Sequence, residues 1–241
     1  MTGRAPVLIG VVLGVVFITG CAKREIHFDP VNVRASAIYC IFDRSCTVTV
    51  TDSSATPIPI QTGGTAFLES RTFAGKPGTP ASGLYGYEYR IDLGKTVETT
   101  SDVGGVATKQ IRCLRSMTLD FGPIVDTLDY NGDGKTGDLI YVITSGGPGG
   151  IGIEHAHRWT NTIILYFDSP VCVGASGGHG DSTYVFGLVS AQPPRSVTAT
   201  LKETDDLTAA SSKLKSSPTY DVLVRAPQIG AASEPNHPES L

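Results

Sequence analysis

The sequence predicts an all-β, single-domain protein, an antiparallel β-sandwich of jelly-roll or immunoglobulin-like type. Three observations carry that reading. Short runs rich in β-branched and aromatic residues lie between clusters of Gly, Pro, Ser, Asn and Asp. Glycine and proline number 28 and 15 among 241 residues while only 17% of residues are charged, which suits many turns and few helices. In "YGYEYRIDL", Tyr85, Tyr87, Tyr89, Ile91 and Leu93 share one face, and Glu88, Arg90 and Asp92 share the other. A period of two is that of a strand with one buried and one wet face.

Taken in order, strands are expected at Ala37–Phe42, Thr47–Thr51, Ala66–Phe73, Tyr85–Leu93, Gln110–Phe121, Leu139–Thr144, Asn161–Phe167, Tyr184–Val189, Val197–Lys202 and Tyr220–Arg225. Helix signals are confined to "ETDDLTAASSKLKSS" (Glu203–Ser217), which reads equally well as a polar loop. The domain is placed at residues 35–225. The segment 226–241, "APQIGAASEPNHPESL", has too little apolar content to fold and is expected as a disordered tail. No internal repeat is visible, which argues against a propeller or solenoid.

The chain begins "MTGRAPVLIGVVLGVVFITGCAKRE", with one basic residue, Arg4, ahead of an apolar run from Val7 to Ile18 and small residues before Cys21. That run is too short to cross about 30 Å of hydrocarbon, so residues 1–20 are expected to be a signal peptide. "ITGC" resembles the lipobox of bacterial lipoproteins, which implies cleavage before Cys21 and lipidation of that residue. Residues 21–34 then become a short tether, and the partner is the membrane, reached through the lipid. By the same resemblance, Ala22 in place of an aspartate points to the outer membrane of a Gram-negative cell. A formal net charge of −4 with no basic cluster argues against nucleic acid as a partner.

Beyond Cys21 there are four cysteines, an even number that suits an oxidising compartment and permits two disulfides in any of three pairings. Cys40 and Cys46 flank "IFDRS", short enough to close a hairpin, and are expected to pair with each other, as are Cys113 and Cys172. No CxxC pair supports zinc.

The most pointed chemistry lies in "LDYNGDGKTGDLIYV" (Leu128–Val142), where Asp129, Asn131 and Asp133 alternate and Gly134 follows. Oxygen ligands at positions 1, 3 and 5 with glycine at 6 let a short loop wrap a hard cation. The expected ligands are Asp129, Asn131, Asp133, the carbonyl of Lys135, and Asp138; the expected ion is Ca2+, as a brace. The motif resembles the calcium loops of EF-hands, dockerins and FG-GAP repeats. It departs from EF-hands because position 12 is Ile140, and from FG-GAP loops because Asp138 stands one residue late.

Two catalytic alternatives accompany this. Ser145 in "ITSGGPGG" resembles the nucleophile stretch of trypsin-like serine proteases, but Thr144 stands where those enzymes have aspartate, and a glycine-rich turn is the preferred reading. His155 and His157 in "EHAHRW", joined by His179 and Asp181 from "GGHGDS", could form a zinc or copper site. "FLESRTF", "GLYGYEYRIDL", "MTLDFGPIV" and "STYVFGLVS" resemble segments of uncharacterised secreted bacterial β-sandwich proteins, a likeness that brings no activity with it. The expected role is adhesive, scaffolding or ligand-binding at the cell envelope, with a glycan or envelope protein as partner. One alternative is a carbohydrate-binding module using a row from Tyr85, Tyr87, Tyr89 or Trp159; the other is a hydrolase or metalloenzyme using Ser145 or the His155, His157 and His179 group.

Overall fold

The computed structural model describes residues 25–103, 106–175, 178–204 and 217–229. Residues 1–20, Cys21 and most of the expected tail and of Glu203–Ser217 lie outside the described residues. Among the described residues the strands are β1 (Ile26–Phe28), β2 (Val31–Arg34), β3 (Val50–Ile58), β4 (Ala66–Ala74), β5 (Tyr85–Asp92), β6 (Thr99–Val103), β7 (Val106–Gln110), β8 (Cys113–Asp120), β9 (Tyr141–Ser145), β10 (Ile153–Trp159), β11 (Thr162–Cys172), β12 (Val185–Ser190), β13 (Pro194–Glu203) and β14 (Thr219–Pro227). One helix, α1 (Ala35–Phe42), interrupts them.

The strands build an all-β sandwich. The first sheet has the order β1-β10-β11-β8-β13-β14 and the second β2-β9-β12-β5-β4-β3, with β6 and β7 forming a separate hairpin. Pairing is antiparallel except at the edge of the second sheet, where β2 runs parallel to β9. Between the sheets lies the main core, to which Leu68, Tyr87, Tyr89 and Ile91 contribute from one side and Met117, Leu119, Leu165, Ala199 and Val224 from the other. Tyr87 stands edge-on to Phe121 at 5.4 Å. The Tyr87 hydroxyl donates to the Gln192 carbonyl, and that of Tyr89 to the Arg225 carbonyl. Both rings can be buried because their polar ends find acceptors on the far side of the core.

A second apolar cluster covers the outer face of the second sheet. Ile38 and Phe42 of α1, with Leu128 and Tyr130 from the long loop before β9, pack on Phe73, Tyr141, Ile143, Val185 and Val189. All six residues of β12 are therefore buried, as befits a strand covered on both faces. Two glycines make that layer fit. Cβ atoms built on Gly86 and Gly187 would come within 2.4 Å of the side chains of Phe73 and Tyr141, their own cross-strand partners. A side chain at either position would lift the aromatic ring that lies over it.

Several expectations are corrected. Ala37–Phe42 belongs to helix α1 because Ala35, Ile38 and Phe42 of that helix meet the sheet at helical spacing, while the segment is too short for that period to stand out from strand composition. Gln110–Phe121 divides into β7 and β8, and strand structure after the helix begins at Val50 rather than Thr47. The stretch 21–34 is not only a tether: Ile26–Phe28 and Val31–Arg34 are edge strands of the two sheets. β10, which carries the histidines of "EHAHRW", is a further strand beyond those expected. Pro57 sits within β3, tolerated because β3 is an edge.

Both disulfides pair as expected. Cys113 and Cys172 stand directly opposite across β8 and β11, whereas Cys40–Cys46 ties the last turn of α1 to the loop beyond it and closes no hairpin. The bridges span 59 and 6 residues respectively. Chain-entropy arguments put their contributions at about 4 and about 2 kcal/mol. A Cys113→Ser, Cys172→Ser variant should accordingly lose more stability to urea than Cys40→Ser, Cys46→Ser; equal or reversed losses would refute that ranking.

Candidate functional site

On the outer face of the second sheet, beside the apolar cluster, the strands bring a row of chemically distinct residues into register: Tyr141, Gly187, Glu88 and Arg71 are successive cross-strand partners on β9, β12, β5 and β4. Because Gly187 has no side chain, Tyr141 reaches over it and its hydroxyl donates to Glu88 Oε1 at 3.0 Å. Arg71 Nε donates to Glu88 Oε2 at 2.6 Å, and its terminal nitrogen donates to the Tyr39 hydroxyl of α1 at 2.6 Å. Nearby on the same two strands, Arg90 is paired with Glu69 at 3.2 Å and with Asp92 at 3.1 Å.

Arg71, Glu88, Arg90 and Glu69 floor an open cleft of about 360 Å³, walled by Ser53 and Ala55 on one side and by Pro148 and Val185 on the other. Glu88 is the surprise. Alternation places it on the wet face of β5, yet it is 1% exposed because Tyr141 and the helix layer roof that part of the sheet. Burial pushes its carboxyl above the ordinary 4.5, with the Arg71 guanidinium and the Tyr141 hydroxyl pulling the other way.

The aromatic row expected for a sugar platform does not form. Tyr87 and Tyr89 are buried in the main core and Tyr85 is half-buried against it, whereas Trp159 stands 61% exposed on the first sheet. Trp159 borders a smaller cleft of about 280 Å³ with Glu25, His157, Thr160, Thr162 and Ile164.

The histidine group is only partly as expected. His155 and His157 share the outer face of the first sheet, but the third imidazole beside them is His27 of β1, placed there by the pairing of His27 with His157. His179 is exposed in the loop before β12, and among the described residues no hydrogen bond or ring contact joins it, or Ser145, to His155 or His157. Asp181 instead accepts the Cys172 N–H at 3.0 Å, fixing the end of β11. Ser145 ends β9 and leads into the glycine-rich turn.

In the Asp129 loop the oxygen-bearing side chains are engaged by the loop's own backbone. Asp129 accepts N–H bonds from Gly132, Asp133 and Gly134, Asn131 accepts from Asp133, and Asp133 accepts from Lys135. Asp138 accepts from Tyr130 N–H at 2.7 Å. Tyr130, packed edge-on against Tyr141 at 5.1 Å, ties this loop to the covered sheet face. Among the described residues no three His, Cys, Asp or Glu side chains converge as they stand on a point where one ion could sit. The loop is thus shaped by side-chain to backbone turns, and its carboxylates do not yet form a cation cage.

The raised Glu88 carboxyl has a consequence for stability. The folded chain holds that proton where the unfolded chain has released it, so the Glu88 contribution falls as pH rises above about 4.5. Glu88→Gln cannot ionise. Its melting temperature relative to the parent should therefore rise as pH climbs above about 4.5, and a pH-independent difference would contradict the assignment.

No protein-family model, no curated protein and no solved structure matches this chain.

Proposed function

We propose that the chain is an exported protein, lipid-anchored to the cell envelope through Cys21, whose sandwich binds a neutral, hydroxyl-rich ligand such as an envelope glycan in the cleft of the second sheet. The observation that carries this reading is the cleft floor, where two crossed ion pairs, Arg71–Glu88 and Arg90–Glu69, stand side by side. Paired charges hold each other in fixed orientation and balance in sign. The open N–H positions of Arg71 and oxygens of Glu69 suit hydroxyl groups better than a charged ligand. Ala55, Pro148 and Val185 offer the apolar contact that the C–H face of a sugar needs. The anchor rests on the lipobox-like sequence.

A second reading, carbohydrate binding on the first sheet, is favoured by exposed Trp159 beside its own cleft. Binding of neutral oligosaccharides, measured on an array and then by calorimetry, separates the two. Ser53→Trp, opposite Arg71 on the neighbouring strand, fills the second-sheet cleft from its wall and should reduce affinity at least about tenfold while Trp159→Ala leaves it intact. The opposite pattern would move the site to the first sheet, and no saccharide binding at all would refute both.

A calcium brace at Asp129, Asn131, Asp133, Lys135 and Asp138 belongs to the same proposal. Its support is the spacing of the ligands and the winding of the backbone around the Asp129 carboxylate. Binding would draw the carboxylates together. Calcium should then raise the melting temperature of the parent but not of an Asp129→Ala, Asp133→Ala variant; an equal response from both would dismiss the ion.

A further inference from the structure

The three imidazoles on the outer face of the first sheet are set apart by what stands behind each of them. His27 Nδ1 and His157 Nε2 face one another at 3.2 Å. The other nitrogen of His157 lies 2.6 Å from Glu25 Oε1, and the other nitrogen of His27 lies 3.7 Å from Asp29 Oδ1. His155 has its Nδ1 3.5 Å from Glu154 Oε2, with its ring centroid 5.2 Å from both of the other imidazoles. Each histidine thus has one ring nitrogen near a carboxylate and one left over, and for His27 and His157 the nitrogens left over point at each other. Glu25 stands close enough to His157 to fix its tautomer, and a carboxylate behind an imidazole is the arrangement that supports histidine ligands of a metal.

From this geometry we propose that His27, His155 and His157 form a binding site for a divalent transition ion of the zinc or copper class, and that the ion clamps β1 onto the first sheet. A nitrogen separation of 3.2 Å is what two imidazoles on one tetrahedral ion adopt when each bond is about 2.0–2.1 Å. The third ligand is not yet in place: His155 is stacked on Tyr166 at 4.7 Å and must turn its half-buried ring toward the pair. All three side chains are open to solvent in part, so an ion can enter. β1 is only three residues long and lies at the sheet edge, held by one neighbour, β10. A metal bridge from His27 to His157 would fasten the part of the chain that leads back to Cys21. This site is independent of the second-sheet cleft.

The test is zinc titration by calorimetry on the full chain, purified in detergent without a histidine tag, with Cu2+ as a second probe. One ion per chain is expected. His27→Ala, His155→Ala and His157→Ala should each abolish or greatly weaken binding, Glu25→Gln should weaken it by about 10- to 100-fold, and His179→Ala should leave it unchanged. Amide exchange at Ile26–Phe28 should slow when zinc is bound. Binding that survives His27→Ala or His157→Ala would overturn the proposal. So would loss in those two with none in His155→Ala, or exchange at β1 that zinc does not alter. If the His27–His157 contact is only a shared proton, no zinc heat will be seen, and the proposal falls.

Discussion

Burial of the second sheet on both faces is the constraint on which most of this structure depends. Its inner face packs against the first sheet, and its outer face carries too many apolar side chains to stand in water: Phe73, Tyr141, Ile143, Val185 and Val189 all belong to the outer cluster. Helix α1 and the long loop through Leu128 and Tyr130 exist in this fold as their cover. The Cys40–Cys46 bridge, placed where α1 ends, holds the cover rather than the sheets.

The cover is incomplete, and its margin is where the chemistry collects. At the edge of the helix layer the sheet face changes from aromatic rings to alternating charges, and Glu88 lies just inside the roofed part. A carboxylate there can be tolerated only with partners, and it has two, Arg71 and Tyr141. Arg71 connects the roof to the open floor, since it reaches both Glu88 and Tyr39 of α1 while its exposed flank faces the cleft. The cleft is therefore a consequence of how far the helix layer extends, and its floor is rigid because it is tied into the buried network.

The first sheet solves a different problem. The outer face of its β1–β10 edge is uncovered by any further layer among the described residues, and the register of β1 on β10 gathers His27 with His155 and His157 there. The Cys113–Cys172 bridge joins β8 to β11 at the centre of that sheet, so the two faces that carry candidate sites rest on separately fastened supports.

Composition and period-two alternation in the sequence determined the all-β class, most strand positions and the core-facing identity of Tyr87 and Tyr89, because these depend on local pattern and on which residues must leave water. Cysteine parity and the shortness of the Cys40–Cys46 interval were enough for the pairing. The sequence could not reveal that the charged face of β5 is roofed at Glu88, since that depends on Tyr141 crossing Gly187 and on a helix that reads locally as a strand. Nor could it exchange His179 for His27, because the two are told apart only by a pairing between strands 130 residues distant in sequence. Local pattern sets what each segment can be; which side chains meet is decided by long-range register, and both candidate sites here are made of such meetings.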